Sequence, residues 1–255
     1  MEAVKAPAGT QAVQRAIGLL KAFSQGHTAM TLTELCDVGG LSRTTGHRLL
    51  SALESEGLVE RDPGGRYHLG STVIALGARA LQNHDLRVVT RPVLESLATE
   101  TGETASLEVL SEGKMLIVSE VSGRHLVMAS PELGTRWPLY ATSTGKALLA
   151  ALSEERRRDL LKPPLERFTA TTITDQQELA RELERVREDG YATVVEELEA
   201  GAAAVAAVVR DPLGDPVGAI SIGGPVSRLT RPRLAELGES LRRAARSLSR
   251  RLEGA

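Results

Sequence analysis

The sequence predicts a two-domain α+β protein: an N-terminal winged helix-turn-helix, a linker helix, and a larger C-terminal domain built around one antiparallel sheet. Three observations lead to this prediction. The first 70 residues hold three short helical stripes followed by a hairpin signal. In the remainder, strand-like and helical segments are interspersed with short glycine turns, a pattern typical of an α+β domain. The length of 255 residues suits two domains of ordinary size.

The first part of the chain is predicted to be a flexible tail over 1–10 and a winged helix-turn-helix over 11–70. An apolar stripe from Val13 to Phe23 predicts the first helix. In TLTELCDVGGLS, a capping threonine (Thr31 or Thr33) and a closing Gly-Gly pair predict a short second helix. Ser42 caps a third helix over about 42–56. Two extended runs around Pro-Gly-Gly in LVERDPGGRYHLG predict the hairpin.

The second part is predicted to be a linker helix over 71–86 and a larger domain over 87–255. Its strands are predicted from the segments TASLEVL, KMLIVSEV, HLVMAS, YATVVEE, AAVAAVVR and PVGAISIGG. Its helices are predicted over 87–101, 144–152, 153–161, 175–189 and 231–252.

Composition excludes several classes of protein. A formal net charge of −2 means that any contact with nucleic acid must come from a local patch. The one cysteine, Cys36, cannot form an intramolecular disulfide and is expected to be a small core residue. The five histidines show neither HxH nor HExxH spacing, so we expect no metal and no cofactor. No apolar run approaches the ~18 residues of a membrane span, and with no secretion signal the chain is expected to be cytoplasmic.

The third predicted helix has two contrasting faces. Leu49, Leu50 and Leu53 form its apolar face. The opposite face is rich in hydrogen-bond donors within the first two turns, and it comprises Ser42, Arg43, Thr44, His47 and Arg48. In a helix-turn-helix, this part of the second helix meets base edges in the major groove, where arginine can bind guanine in bidentate fashion. We therefore predict DNA contacts from these five residues and, from the hairpin, Arg66.

A module for protein contacts is the alternative for this helix. Residues 1–70 hold seven Lys or Arg and seven Asp or Glu, so the module is not basic overall. Tight nonspecific DNA binding is therefore not expected, because that affinity comes mainly from counterion release. Specific recognition remains the prediction, since the acidic residues can face away from the duplex.

Two patterns could instead indicate an enzyme. STGK, residues 143–146, has the Ser-x-x-Lys spacing of β-lactamase-like hydrolases, but their Ser-Asp-Asn and Lys-Thr-Gly elements are absent from the sequence. Glu196-Glu197 could suggest an acid/base or metal site, but adjacent residues of a strand point to opposite faces. We therefore predict no catalytic activity, a helix cap at Ser143 or Thr144, and a structural or ligand-loop role for the glutamates.

The chain resembles the IclR family of bacterial transcriptional regulators. The resemblance lies in QAVQRAIGLLKAF, in TLTEL and GLSRTTGHRLLSALESEGLVERDPGGRYHLG, and in PLYATSTGKALLA, VREDGYATVVEELEAG and RDPLGDPVGAISIGGP. It implies a winged-helix DNA-binding domain, a linker helix and a GAF-like effector-binding domain with an antiparallel sheet. It also implies homodimers that can pair into dimers of dimers.

The resemblance further implies which residues form the effector pocket. Carried over by position, these are Leu126, Ala129, Trp137, Ser143, Thr144, Val194, Ala202, Ala204, Ser221 and Gly223. Relatives that bind very small acids have polar or acidic side chains in place of Val194, Ala204 and Gly223, and an aliphatic residue in place of Trp137. We therefore expect an apolar or aromatic effector with one anionic or hydrogen-bonding end. Core packing or a dimer contact is the alternative role for Trp137.

Together these inferences predict a transcriptional regulator whose binding to pseudo-palindromic double-stranded operator DNA is modulated by a small molecule, with a neighbouring catabolic operon as its target. A small-molecule sensor whose helix-turn-helix contacts proteins is the main alternative. A Ser-x-x-Lys hydrolase is the remote one.

Overall fold

The computed structural model describes residues 10–23, 28–82, 85–124 and 133–252. The chain divides into two compact units, 1–83 and 84–255, so the division falls within the predicted linker segment. Most of the predicted tail, together with HLVMAS at 125–130, lies outside the described residues. No helix in the described ranges is long and apolar enough to cross a bilayer.

The first unit has the predicted order of elements. They are α1 (Gln11–Ala22), α2 (Leu32–Gly39), α3 (Arg43–Ser55), β1 (Val59–Arg61), β2 (Tyr67–Leu69) and α4 (Ser71–Gln82). β1 and β2 pair as an antiparallel hairpin, and Met30 forms a bridge with Tyr67 beside it. The core of this unit joins Leu19, Leu35 and Leu50 from the three helices to the hairpin.

Local chemistry fixes the turn between α2 and α3. Thr31 caps α2 through a capping box: its Oγ1 accepts from the backbone N–H of Glu34 at 3.3 Å, and the Glu34 carboxylate accepts from the N–H of Thr31 at 2.7 Å. Gly40 ends the helix with a φ of 58°. Cys36 is buried, as expected, and lies so close to Gly46 of α3 that a Cβ there would be 2.3 Å from its Sγ. The two helices can therefore approach closely only with glycine at 46.

The second unit contains the remaining elements. They are α5 (Asp85–Thr101), β3 (Thr104–Ser111), β4 (Lys114–Val121), β5 (Arg136–Pro138), α6 (Ser143–Ala151), α7 (Glu154–Leu160), α8 (Gln176–Asp189), β6 (Ala192–Val195), β7 (Ala202–Arg210), β8 (Pro216–Pro225) and α9 (Arg231–Leu252). The strands form one antiparallel sheet of order β5-β4-β3-β8-β7-β6.

Helices cover both faces of this sheet. Alternate residues of β7, such as Val205 and Val209, pack with α5 and α9 in one core cluster. The intervening Ala206 belongs to a second cluster with α6 and α8. The sheet face toward α6 is the one that concerns function, because Ser106 and Ser221 lie on it.

The sequence prediction was wrong about two strands of this unit. The strand expected over 191–197 ends at Val195, and Glu196 has a positive φ of 59°, so the glutamate pair lies in a bend and not in a strand. The short strand β5 was not predicted, because three residues containing a proline carry no alternating pattern.

Candidate functional site

The predicted donor-rich face of α3 is exposed in the first unit. Ser42 is the N-cap and accepts from the backbone N–H of Thr45 at 3.3 Å. The leucines of the opposite face are buried together with Gly46. All five residues predicted to contact DNA from this helix are exposed: Ser42, Arg43, Thr44, His47 and Arg48. The helix therefore offers its first two turns as an accessible polar surface.

Two of the predicted arginines also bind within the unit. Arg43 Nη2 donates to Thr33 Oγ1 at 3.1 Å, which links α3 to α2 and holds the guanidinium at the helix surface. Arg66 Nη2 donates to the backbone oxygen of Ala29 at 2.6 Å, beside the bridge that supports the hairpin. Arg66 thus supports the hairpin, and any DNA contact has to come from its remaining donors.

The second unit contains a cavity of about 390 Å³ between the sheet and the start of α6. Eight of the ten residues predicted for the effector pocket line it: Trp137, Ser143, Thr144, Val194, Ala202, Ala204, Ser221 and Gly223. Leu126 and Ala129 lie outside the described residues. The structure therefore gathers, from five separate segments, every predicted pocket residue that it describes.

Small residues on neighbouring strands leave the cavity open. Ala204 of β7 pairs directly with Gly223 of β8. A Cβ at Gly223 would meet the Cβ of Ala204 at 3.8 Å, an ordinary contact, so a larger side chain could stand there only by projecting into the cavity. Trp137 supplies a flat aromatic wall.

The N-terminus of α6 lies at the cavity wall. The sequence prediction of Ser143 or Thr144 as the cap is wrong: Thr142 is the N-cap, and its Oγ1 accepts from the N–H of Gly145 at 3.2 Å. The first backbone hydrogen bond of α6 runs from the N–H of Lys146 to the oxygen of Thr142 at 2.9 Å, so the N–H groups of Ser143 and Thr144 have no acceptor within the helix and lie at its positive end. Such an end favours an anion.

Lys146, the last residue of the STGK segment, is fully buried and binds Glu197. Its Nζ donates to Glu197 Oε1 at 2.5 Å. Burial lowers the pKa of Lys146, and the charge of Glu197 opposes that shift. The ammonium of Lys146 is therefore paired with a carboxylate in the bend after β6. Glu196 Oε1 accepts from the N–H of Gly201 at 2.8 Å, and Glu197 lines the cavity, so the structural or ligand-loop role of this pair stays a prediction.

Further charged residues of the cavity were missed by the sequence analysis. Glu103 and Arg228 line it and form a bidentate ion pair, with N–O distances of 2.5 and 2.8 Å. The Glu103 hydrogen bond raises the pKa of Arg228. These partners are 125 positions apart in the chain, so no local sequence motif predicts that they form an ion pair.

Glu108 was also missed, and its carboxylate is buried in the cavity wall. Thr144 Oγ1 donates to Glu108 Oε2 at 2.7 Å, and Ser106 Oγ donates to Glu108 Oε1 at 3.1 Å. Ser106 and Ser221 are 2.7 Å apart through their hydroxyls, which completes a chain of four polar groups. Burial raises the pKa of Glu108 to about 7 against the lowering effect of the two hydroxyl donors.

A signal for Glu108 was present in the sequence. Thr104, Ser106 and Glu108 alternate with Ala105 and Leu107 in the strand TASLEVL. In a strand covered by helices on both faces, polar residues at a period of two indicate a polar site and not solvent. All three polar residues line the cavity.

Comparison with known proteins identifies the family. The model of the "Bacterial transcriptional regulator IclR C-terminal" domain matches residues 78–250, and that of the "IclR helix-turn-helix domain" matches residues 12–63. The chain belongs to the IclR family. This confirms the resemblance predicted from the sequence, the helix-turn-helix and the two-domain fold.

Two curated members of the IclR family align along almost the whole chain. The transcriptional repressor IclR of Escherichia coli K12 is 34% identical over 244 residues, covering 94% of this chain and 89% of that protein. The HTH-type transcriptional repressor AllR of the same strain is 33% identical over 243 residues, covering 94% and 90%.

A solved IclR homologue from Microbacterium hydrocarbonoxydans, complexed with 4-hydroxybenzoate, has the same fold. It superposes with a TM-score of 0.85 at 28% identity, over 96% of this chain and all of that one. That protein therefore binds an aromatic carboxylate in the same overall architecture.

Proposed function

We propose that this IclR-family protein is a transcriptional regulator, without catalytic activity, that binds operator DNA through the exposed face of α3 and the hairpin. The proposed DNA contacts are Ser42, Arg43, Thr44, His47, Arg48 and Arg66. The exposure of all five α3 residues supports this assignment. A homodimer, which can pair into a dimer of dimers, presents two such helices to a pseudo-palindromic operator.

The cavity of the second unit is proposed as the effector site. The observation that carries this proposal is that eight of the residues carried over from the family resemblance line one cavity. Its aromatic wall and small residues suit an apolar or aromatic body, and the buried start of α6 suits one anionic end. The 4-hydroxybenzoate bound by the Microbacterium relative supports an aromatic organic acid. The product of a neighbouring catabolic operon would act on such a compound.

Effector binding is proposed to change operator affinity by favouring one arrangement of the paired DNA-binding units. A ligand can shift such an equilibrium only by the difference of its affinities for the two arrangements. A 100-fold change in operator affinity corresponds to a coupling free energy of about 2.7 kcal/mol.

The test combines tryptophan fluorescence with operator binding. Because Trp137 is the only tryptophan, benzoate or 4-hydroxybenzoate in the cavity should change its emission. Operator duplexes are first selected from a random DNA pool, and gel-shift titrations then measure the effect of each acid. The double variant Ser143→Ala, Thr144→Ala should bind operator normally and respond weakly to the acids.

Ser111→Ala is the matched control, since Ser111 ends β3 and is not among the lining residues. An undiminished response in the double variant would contradict the assignment of the effector to this cavity. Emission unmoved by an acid that does alter operator binding would remove Trp137 from the site.

A further inference from the structure

The carboxyl groups of the cavity differ in how their charge is compensated. Four of the described residues that line it are glutamates. Glu103 and Glu197 are each paired with a cation, and Glu199 is exposed, so water solvates its charge. Glu108 is buried and forms no ion pair with any residue in the described part of the chain. An uncompensated buried charge is costly, and a group in this position tends to take up a proton instead.

The hydrogen bonds of Glu108 determine what the cavity wall can offer to a ligand. A hydroxyl group has one hydrogen to donate. When Glu108 is ionised, the hydrogens of Thr144 and Ser106 are both directed at its carboxylate, 2.7 and 3.1 Å away. Those hydroxyls then present only lone pairs elsewhere, and the carboxylate repels a second anion nearby. When Glu108 is neutral, its O–H can donate to one of these hydroxyls, which frees a hydrogen for the ligand.

The same network includes Ser221. Its hydroxyl lies 2.7 Å from that of Ser106, and either oxygen can be the donor. Reversal of the donor direction at Glu108 can therefore pass through Ser106 to Ser221 without moving a heavy atom. Thr144, at the other end, stands in the first turn of α6, where the free N–H groups attract an anion. The protonation state of Glu108 thus decides whether Thr144 or Ser221 has a hydroxyl hydrogen to donate to an anion beside the start of α6.

The charged groups on the surrounding elements leave Glu108 without a counter-charge. On β4, the charge of Glu120 disfavours ionisation of Glu108. On α6, the ammonium of Lys146 is held by Glu197. On β3 itself, Glu103 is neutralised from outside the strand by Arg228. The nearest group on β8 in the hydrogen-bond network is an uncharged serine.

We propose that binding of an organic anion in this cavity is coupled to the uptake of one proton by Glu108. This inference rests on the proposed effector site and defines its regulation: the affinity for the effector falls as the pH rises. The proton comes from the solvent, so charge is conserved when the anion enters. The titration of Glu108 near neutral pH supports this coupling.

The experiment is isothermal titration calorimetry of the full-length protein with benzoate and with 4-hydroxybenzoate, whose carboxylates stay ionised near neutral pH. At about pH 7.5, titrations in two buffers of different ionisation enthalpy count the protons taken up. We expect an uptake approaching one proton per site. Above about pH 7, the dissociation constant should rise towards tenfold per pH unit.

Glu108→Gln keeps the size of the side chain and cannot titrate. It should bind the anions with no proton uptake and with an affinity independent of pH. Glu188→Gln is the matched control, because Glu188 is an exposed carboxylate of α8 that does not line the cavity, and this variant should behave as the wild type.

The outcomes separate this inference from the proposed function. Binding by the wild type without proton uptake would overturn the coupling and leave the effector site standing, and this measurement needs no variant. Uptake that persists in Glu108→Gln would overturn the assignment to Glu108. Failure of both anions to bind the wild type at any pH would overturn the proposed ligand class, and this inference with it.

Discussion

The buried carboxyl of Glu108 also predicts how the stability of the ligand-free protein depends on pH. Wild-type Glu108 is buried with a pKa of about 7, and the same group has a pKa of 4.5 when freely exposed to water. Between these two values the folded protein holds a proton that the unfolded chain has released. The wild type is therefore stabilised by this proton at low pH and loses that contribution as the pH rises through about 7.

The magnitude follows from the gap between the two pKa values. At ~1.4 kcal/mol per pKa unit, the gap corresponds to about 3 kcal/mol of unfolding free energy. Glutamine does not titrate, so the free energy of unfolding of Glu108→Gln relative to the wild type should increase by that amount between about pH 4.5 and about pH 7.5. Other carboxylates titrate in both proteins and cancel in the difference.

Urea unfolding of the full chain, followed by the emission of Trp137, measures this difference. The single tryptophan lies in the same unit as Glu108, so it reports the unfolding of that unit. Glu188→Gln should give a curve parallel to the wild type, because its carboxylate is exposed and lies away from the cavity. A stability difference between Glu108→Gln and the wild type that stays constant over this pH range would refute the reasoning.

Four further substitutions test other parts of the structure. Arg43→Ala or Arg48→Ala should weaken operator binding by about 1–3 kcal/mol if that arginine forms a bidentate contact with a base. Wild-type affinity of both variants in gel-shift titrations would mean that another face of α3 contacts DNA. Gly46→Ala should lower the unfolding free energy of the first unit by about 1–3 kcal/mol, because its Cβ would overlap a buried sulfur. Far-UV circular dichroism follows the unfolding of this helical unit, and an unchanged urea midpoint would contradict this packing. Arg228→Ala should lower the urea midpoint followed by Trp137 emission, because it leaves Glu103 buried and unpaired, whereas the double variant with Glu103→Gln should recover most of the loss.

Periodic features of the fold could be predicted from the sequence. The strand over 114–121 and the helix over 231–252 have their predicted bounds, since long segments with a regular apolar pattern leave little choice of structure. The exposed face of α3 followed from helical periodicity alone. The eight pocket residues followed from the family resemblance and could not have come from periodicity, because they lie on separate segments.

What the sequence could not supply are the contacts that depend on topology. Glu103 meets Arg228, and Lys146 meets Glu197, only because the sheet order brings β3 beside β8 and because α6 packs near the bend after β6. The bend itself was missed, since the positive φ of Glu196 is not a conformation that glutamate favours. Charge compensation inside the cavity is therefore a property of the folded chain and not of any motif.

The buried pair of Lys146 and Glu197 has a consequence for how a ligand would be received. It fastens the helix that forms one wall of the cavity to the bend that forms another. Because the two walls are already fixed to each other, binding a ligand costs little free energy for ordering them. A small molecule that displaces α6 outward would also displace the bend after β6, because the ion pair joins the two. One ligand would then move two segments that are far apart in the sequence.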